Sequence, residues 1–111
     1  MDVVKVINYS TTSGNEPFIE WLHDLDENTR AIVRTKLARV RLGNFGDCKP
    51  IKNGAGIWEI RIFYGPGYRI YFGKIRQEIV VLLLGGNKGS QTRDIAKAKK
   101  HWLSYKESLH D

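Results

Sequence analysis

The chain of 111 residues is 41% hydrophobic and carries three Trp, five Tyr and four Phe, enough to enclose one core, so residues 1–111 are read as a single domain. That content excludes a disordered tail. The net charge of +6 conceals a division: residues 1–28 hold one base against six acids, net −5, and residues 29–111 hold 17 bases against six acids, net +11. Such a field attracts a phosphate polymer or an acidic protein alike. No apolar run nears the roughly 20 residues of a membrane span, and Met1-Asp2-Val3-Val4-Lys5 lacks the basic and apolar regions of a secretory leader. The lone Cys48 excludes an internal disulfide and fits a reducing cytoplasm. His23, His101 and His110 are too scattered for a structural zinc site.

In chain order, the β-branched run Val3-Val4-Lys5-Val6-Ile7 predicts a first strand. Glu16-Pro17 opens a helix, with proline where a missing N–H is harmless. Phe18, Trp21, Leu22 and Leu25 form its apolar stripe. Asp26 is a suitable N-cap for a second helix ending near Leu42, with Gly43 as its C′ residue. Ile32, Val33, Leu37 and Val40 form the buried side of this helix, and Arg30, Arg34, Lys36, Arg39 and Arg41 form a basic, mainly solvated remainder. The glycines and proline of residues 43–57 predict a loop exposing Lys49 and Lys52.

A hairpin follows. Trp58, Ile60 and Ile62 alternate with Glu59, Arg61 and Phe63, and after Gly65-Pro66-Gly67, Tyr68, Ile70 and Phe72 alternate with Arg69, Tyr71 and Gly73. Placing both apolar sets on one face sets Ile60 opposite Ile70, which sets Arg61 opposite Arg69 and Glu59 opposite Tyr71 on the face turned away from the core. Like charges directly across a sheet are destabilising. A polyanion is the simplest reason for the pair, and splayed, solvated heads or another register are the alternatives. On such a face, Arg69 should be replaceable by alanine with little effect on folding. Ile79 to Leu84, six aliphatic residues in a row, predicts an interior strand ended by the Gly85-Gly86-Asn87-Lys88-Gly89-Ser90 segment. Ile95, Ala98, Trp102, Tyr105 and Leu109 then mark a last helix packed along its whole length. The expected fold is therefore α+β, ordered β-α-α-β-β-β-α. Two N-terminal helices pack on a four-stranded, mainly antiparallel sheet, with a C-terminal helix added.

No nucleophilic triad, dinucleotide or Walker glycine pattern, or magnesium-holding carboxylate cluster is suggested. What remains is a convergence of Arg61, Arg69 and Lys88, with Tyr71 and Glu59 beside them, on a surface suited to a bent phosphodiester. Cleavage of RNA without metal or other cofactor needs little more. The ribose 2′-OH attacks the adjacent phosphorus, and arginine forks neutralise the charge that builds on the phosphorane. Proton transfers would fall to Glu59, Lys88 or Tyr71, and a dense cationic patch favours the deprotonated form of a tyrosine. Each has a plainer alternative: Tyr71 packing across the sheet, Glu59 pairing with Arg61, Lys88 closing a loop. Lys49, Lys52, Gln91 and Arg93 are candidate RNA contacts.

The strings Ile57-Trp58-Glu59-Ile60-Arg61, Tyr68-Arg69-Ile70-Tyr71-Phe72, Leu82-Leu83-Leu84-Gly85-Gly86-Asn87-Lys88-Gly89-Ser90-Gln91, then Asp94-Ile95 and Ala98, resemble the RelE/ParE toxin superfamily. The branch they are most similar to is the HigB-like, phage-derived addiction module killer group. The resemblance spans about residues 15–100. It implies the fold expected above and the toxin of a type II toxin–antitoxin system, an mRNA interferase acting in the ribosomal A site. The partner it implies is a helix-turn-helix antitoxin of the Xre/HigA type, with operator DNA reached only through that antitoxin. By position, Arg69 matches the family's strand arginine, Arg61 a basic strand residue and Lys88 the basic residue after the final strand. The family's C-terminal Tyr or His has no clear counterpart after Gln91, which leaves the general acid or base unidentified. The same resemblance admits a ParE-like poison of DNA gyrase, and a non-catalytic module working only with its antitoxin is a further alternative.

Overall fold

The computed structural model describes residues 2–109, so His110 lies outside the described residues. The elements are β1 (Lys5–Asn8), α1 (Pro17–His23), α2 (Glu27–Arg41), β2 (Cys48–Pro50), β3 (Ile57–Ile62), β4 (Tyr68–Ile75), β5 (Ile79–Asn87), a 3₁₀ turn (Lys88–Ser90) and α3 (Gln91–Ser108). They form an α+β fold around one sheet of order β1-β5-β4-β3-β2. The sheet has five strands rather than the expected four, and it is mixed, because β1 runs parallel to β5. The additional strand, β2, pairs with β3 at the edge. Three residues are too few to display an alternation, and Pro50 donates no ladder bond, so an edge strand here reads as loop.

The helix boundaries follow local chemistry. Pro17 occupies the first turn of α1. The Asp26 carboxylate accepts the Thr29 N–H and caps α2, and Gly43 takes the left-handed φ of +89° that ends it. α1 and α2 cover one face of the sheet, burying Phe18, Leu22, Val33, Leu37 and Val40 against Ile60, Ile62, Ile70, Phe72, Val80 and Leu82. α3 covers the other face, where Ala98 and Trp102 meet Tyr9, Ile57, Tyr71, Val81 and Leu83.

This second core corrects the expectation that Glu59, Tyr71 and Arg69 lie on a face turned away from the core. Both faces of β4 and β5 are covered. β5 also runs on through Gly85 and Gly86 to Asn87 instead of stopping at Leu84. The two glycines admit close approach from opposite sides. A Cβ at Gly85 would collide with the Trp21 ring of α1, and one at Gly86 with the Asp94 carboxylate of α3. A register shift between Tyr71 and Phe72 leaves Leu83 as an extra residue in β5, a bulge that sharpens the local twist. Leu109, expected to pack with the rest of its stripe, is 54% exposed just beyond the end of α3.

Candidate functional site

The β3–β4 register pairs Arg61 with Arg69, Glu59 with Tyr71 and Ile60 with Ile70, the pairing the alternation predicts. Continued across the sheet, Gly86, Arg69 and Arg61 lie in one row. Leu84, Tyr71, Glu59 and Lys49 lie in another, two residues along the strands. Two like charges face each other, and the structure shows what holds them there.

Glu59 is the hub. Its side chain is 1% exposed, and its Oε1 accepts Arg69 Nη1 at 2.8 Å, with Arg61 Nε 3.7 Å away. Gln91, the first residue of α3, donates its Nε2 to the same oxygen at 3.4 Å. The Glu59–Arg61–Arg69 triad therefore carries one net positive charge. Arg69 is nearly enclosed at 11% side-chain exposure, and Arg61 reaches solvent at 31%. Taking three ions out of water is costly unless their attraction is strong and their hydrogen bonds are satisfied. Satisfaction is incomplete here: among the described residues, Glu59 Oε2, Arg69 Nε and the Tyr71 hydroxyl are buried without a hydrogen-bond partner. Buried polar groups of a folded interior are nearly always satisfied by protein, water or an ion, so these three are places for a bound water or a ligand group.

Tyr71 departs from the expectation of an activated phenol. It is fully buried, and burial first, then the negative charges of Glu59 and Asp94, push its hydroxyl well above the ordinary tyrosine value, outweighing the opposite pull of Arg69. It stays protonated at any physiological pH. Asp94, which entered the sequence reading only through the family resemblance, is a site residue that reading did not name. It is buried on the first turn of α3, accepts the Ser90 hydroxyl and rests on Gly86. The signal for it was present: two glycines inside an otherwise aliphatic strand mark a place where another group approaches closely.

The remaining candidates surround this cluster. Lys88 is exposed on the 3₁₀ turn, and its N–H donates to the Gly67 carbonyl at 3.0 Å, which ties the end of β5 to the β3–β4 loop. Asn87 and Ser90 stiffen the turn through reciprocal backbone and side-chain bonds. Lys49 is exposed on the edge strand in register with Glu59, and Lys52 is exposed in the turn after it. Arg93 is exposed on α3 beside Asp94. Arg61, Arg69, Glu59, Tyr71 and Gln91 are thus gathered into one buried-to-surface cluster. Lys88 adjoins it at one end of the sheet, and Lys49, Lys52 and Arg93 lie outside the bonded network.

Comparison with known proteins agrees with a phage-related origin. Over 83 residues the chain is 40% identical to an uncharacterized protein of Haemophilus influenzae, an alignment covering 74% of this chain and 82% of that protein. A family model described as phage-derived protein Gp49-like (DUF891) matches residues 20–103, from α1 through most of α3, so the chain belongs to the phage-derived Gp49-like family.

Proposed function

We propose that this chain is the toxin of a type II toxin–antitoxin pair and cleaves mRNA on the ribosome, with its target phosphodiester held against Arg61, Arg69 and Lys88. The observation that carries the reading is the facing pair Arg61–Arg69, retained at the cost of a buried carboxylate between them. A fold with no anionic ligand gains little from placing two guanidiniums across a ladder and then burying Glu59 to hold them. The resemblance to RelE-like toxins and membership in a phage-derived family support the same reading.

On this reading the labour is divided. The 2′-OH gives up its proton to water and attacks the neighbouring phosphorus, a 2′,3′-cyclic phosphate forms as the bond to O5′ breaks, and that oxygen takes up a proton from Lys88. The triad's net positive charge sits where the phosphorane develops its extra negative charge, and Arg61 presents it to solvent. Glu59, enclosed, holds the arginines in place, and Tyr71, enclosed beside it, packs in the core; neither meets substrate. Of the three groups considered for proton transfer, Lys88 alone lies at the surface, and it is assigned to the reacting atoms. Gln91 orients Glu59, while Lys49, Lys52 and Arg93 meet the RNA backbone farther out. The partner is a helix-turn-helix antitoxin, through which the pair reaches operator DNA, and the site of action is the cytoplasm.

Expression under a tight promoter tests this directly. Growth arrest with mRNA cut at codon-spaced positions is expected, relieved by a neighbouring helix-turn-helix gene. Arrest with intact mRNA and induced DNA damage signalling would replace the reading with a gyrase poison. One observation favours a non-catalytic binding module as the second reading: the burial of Glu59 and Tyr71 removes two of three acid–base candidates. Purified protein that binds its partner and leaves ribosome-bound mRNA intact would establish that reading instead.

A further inference from the structure

Beside the cluster, between α2 and the end of β3, lies a groove of about 550 Å³ lined by Ile32, Lys36, Arg39, Asp47, Arg61 and Phe63, among others. Its size is that of a site for one small organic group. Phe63 is 81% exposed, the most exposed large hydrophobic side chain among the described residues, and Tyr64 beside it is 42% exposed. A single exposed apolar residue is ordinary. Phe63 differs in its setting: it walls a groove holding three cations against one carboxylate, and one of those cations, Arg61, belongs also to the Glu59 triad.

An exposed aromatic face beside positive charge is the arrangement that binds unpaired nucleotides. The base stacks on the ring, the cations follow the phosphates, and every base has a face to offer. An acidic protein segment would satisfy the cations as well. The apolar part of the wall, however, amounts to one exposed ring and the small Ala31 beside the half-buried Ile32 and the buried Ile62, far less than the roughly 800 Å² per partner of a stable protein interface. We infer that this groove is a subsite for one unpaired nucleotide of the RNA, its base on Phe63 and its phosphate on Lys36 and Arg39, next to the phosphodiester at Arg61. The inference rests on RNA being the substrate and specifies the strand state: the segment entering must be single-stranded.

The test measures binding of a fluorescein-labelled single-stranded RNA decamer, and of the same decamer in duplex, by anisotropy over a range of salt. Phe63→Ala should weaken single-strand binding by roughly tenfold, leave duplex binding unchanged and keep the salt dependence. Phe63→Trp should retain single-strand affinity. The double change Lys36→Ala/Arg39→Ala should instead flatten the salt dependence by about one phosphate contact. Phe63 is so exposed that its replacement should not disturb folding, which circular dichroism verifies. Single-strand affinity within twofold of the parent in Phe63→Ala would overturn the subsite. So would loss of antitoxin binding with RNA binding intact, which would make the groove a protein dock. Cleavage of ribosome-bound mRNA is scored separately. A chain that fails to cut yet loses single-strand preference in Phe63→Ala keeps the subsite and loses the nuclease. One that cuts normally with unchanged binding in Phe63→Ala does the reverse.

Discussion

Arg69 shows how much a residue's surroundings change its meaning. Alternation along β4 makes it a surface cation whose loss costs nothing. In the structure it is the closest partner of a carboxylate only 1% exposed. Arg69→Ala would leave the buried Glu59 with the looser Arg61 contact and the Gln91 amide. Removing one member of a buried ion pair is far more damaging than replacing both, so the variant should lose about 3 kcal/mol of stability. Glu59→Gln added to Arg69→Ala should recover part of that loss, because an amide needs no counter-ion. Urea unfolding of the parent, both single variants and the double variant checks this, and additivity of the two single changes would disprove the coupling. The practical consequence is that inactivity of Arg69→Ala alone does not identify a catalytic arginine. Arg61, 31% exposed and more loosely paired, is the better position for separating chemistry from folding.

At the scale of elements, α3 decides what the sheet's second face is. Its stripe of Ile95, Ala98, Trp102 and Tyr105 is visible in the sequence, but periodicity does not say which surface receives it. The receiving surface is a face of β3, β4 and β5 carrying polar residues together with Ile57, Val81 and Leu83. Trp102 lies so close that a Cβ at Gly73 would strike its ring. His101 of the same helix stacks on Tyr9 with ring centroids 4.9 Å apart. Burial, then the positive charge of Lys97, pull its imidazole below the ordinary value of 6.5. The folded chain thus binds fewer protons here than the unfolded chain as pH falls through 6.5, so the contribution of neutral His101 is complete above that value and declines on acidification. His101→Phe preserves the stack and removes the titration. The melting temperature of the parent should drop more between pH 7.5 and 5.5 than that of His101→Phe. Equal drops would mean that His101 does not couple α3 docking to pH.

For the whole molecule, charge is the dominant property. With +11 over residues 29–111, the proposed function predicts an RNA affinity that falls steeply with salt in proportion to the phosphates contacted. Anisotropy titrations with Lys49→Ala, Lys52→Ala and Arg93→Ala should each lose about one unit of that slope. An unchanged slope would remove that residue from the RNA path. Composition, periodicity and turn chemistry determined by themselves the α+β class, the two N-terminal helices with proline opening the first and Asp26 capping the second, the β3–β4 register that faces Arg61 with Arg69, and the basic body. These are local properties, and a period of two or of 3.6 residues records them directly in the chain. Only the tertiary structure decided that β1 joins β5 in parallel, that Cys48–Pro50 adds an edge strand, and that α3 encloses Glu59, Tyr71 and Arg69. It alone paired Asp94 with Gly86 and Ser90 and opened the groove at Phe63. Each of these joins residues distant in sequence, and burial follows from what packs above a residue, which no pattern along its own strand records.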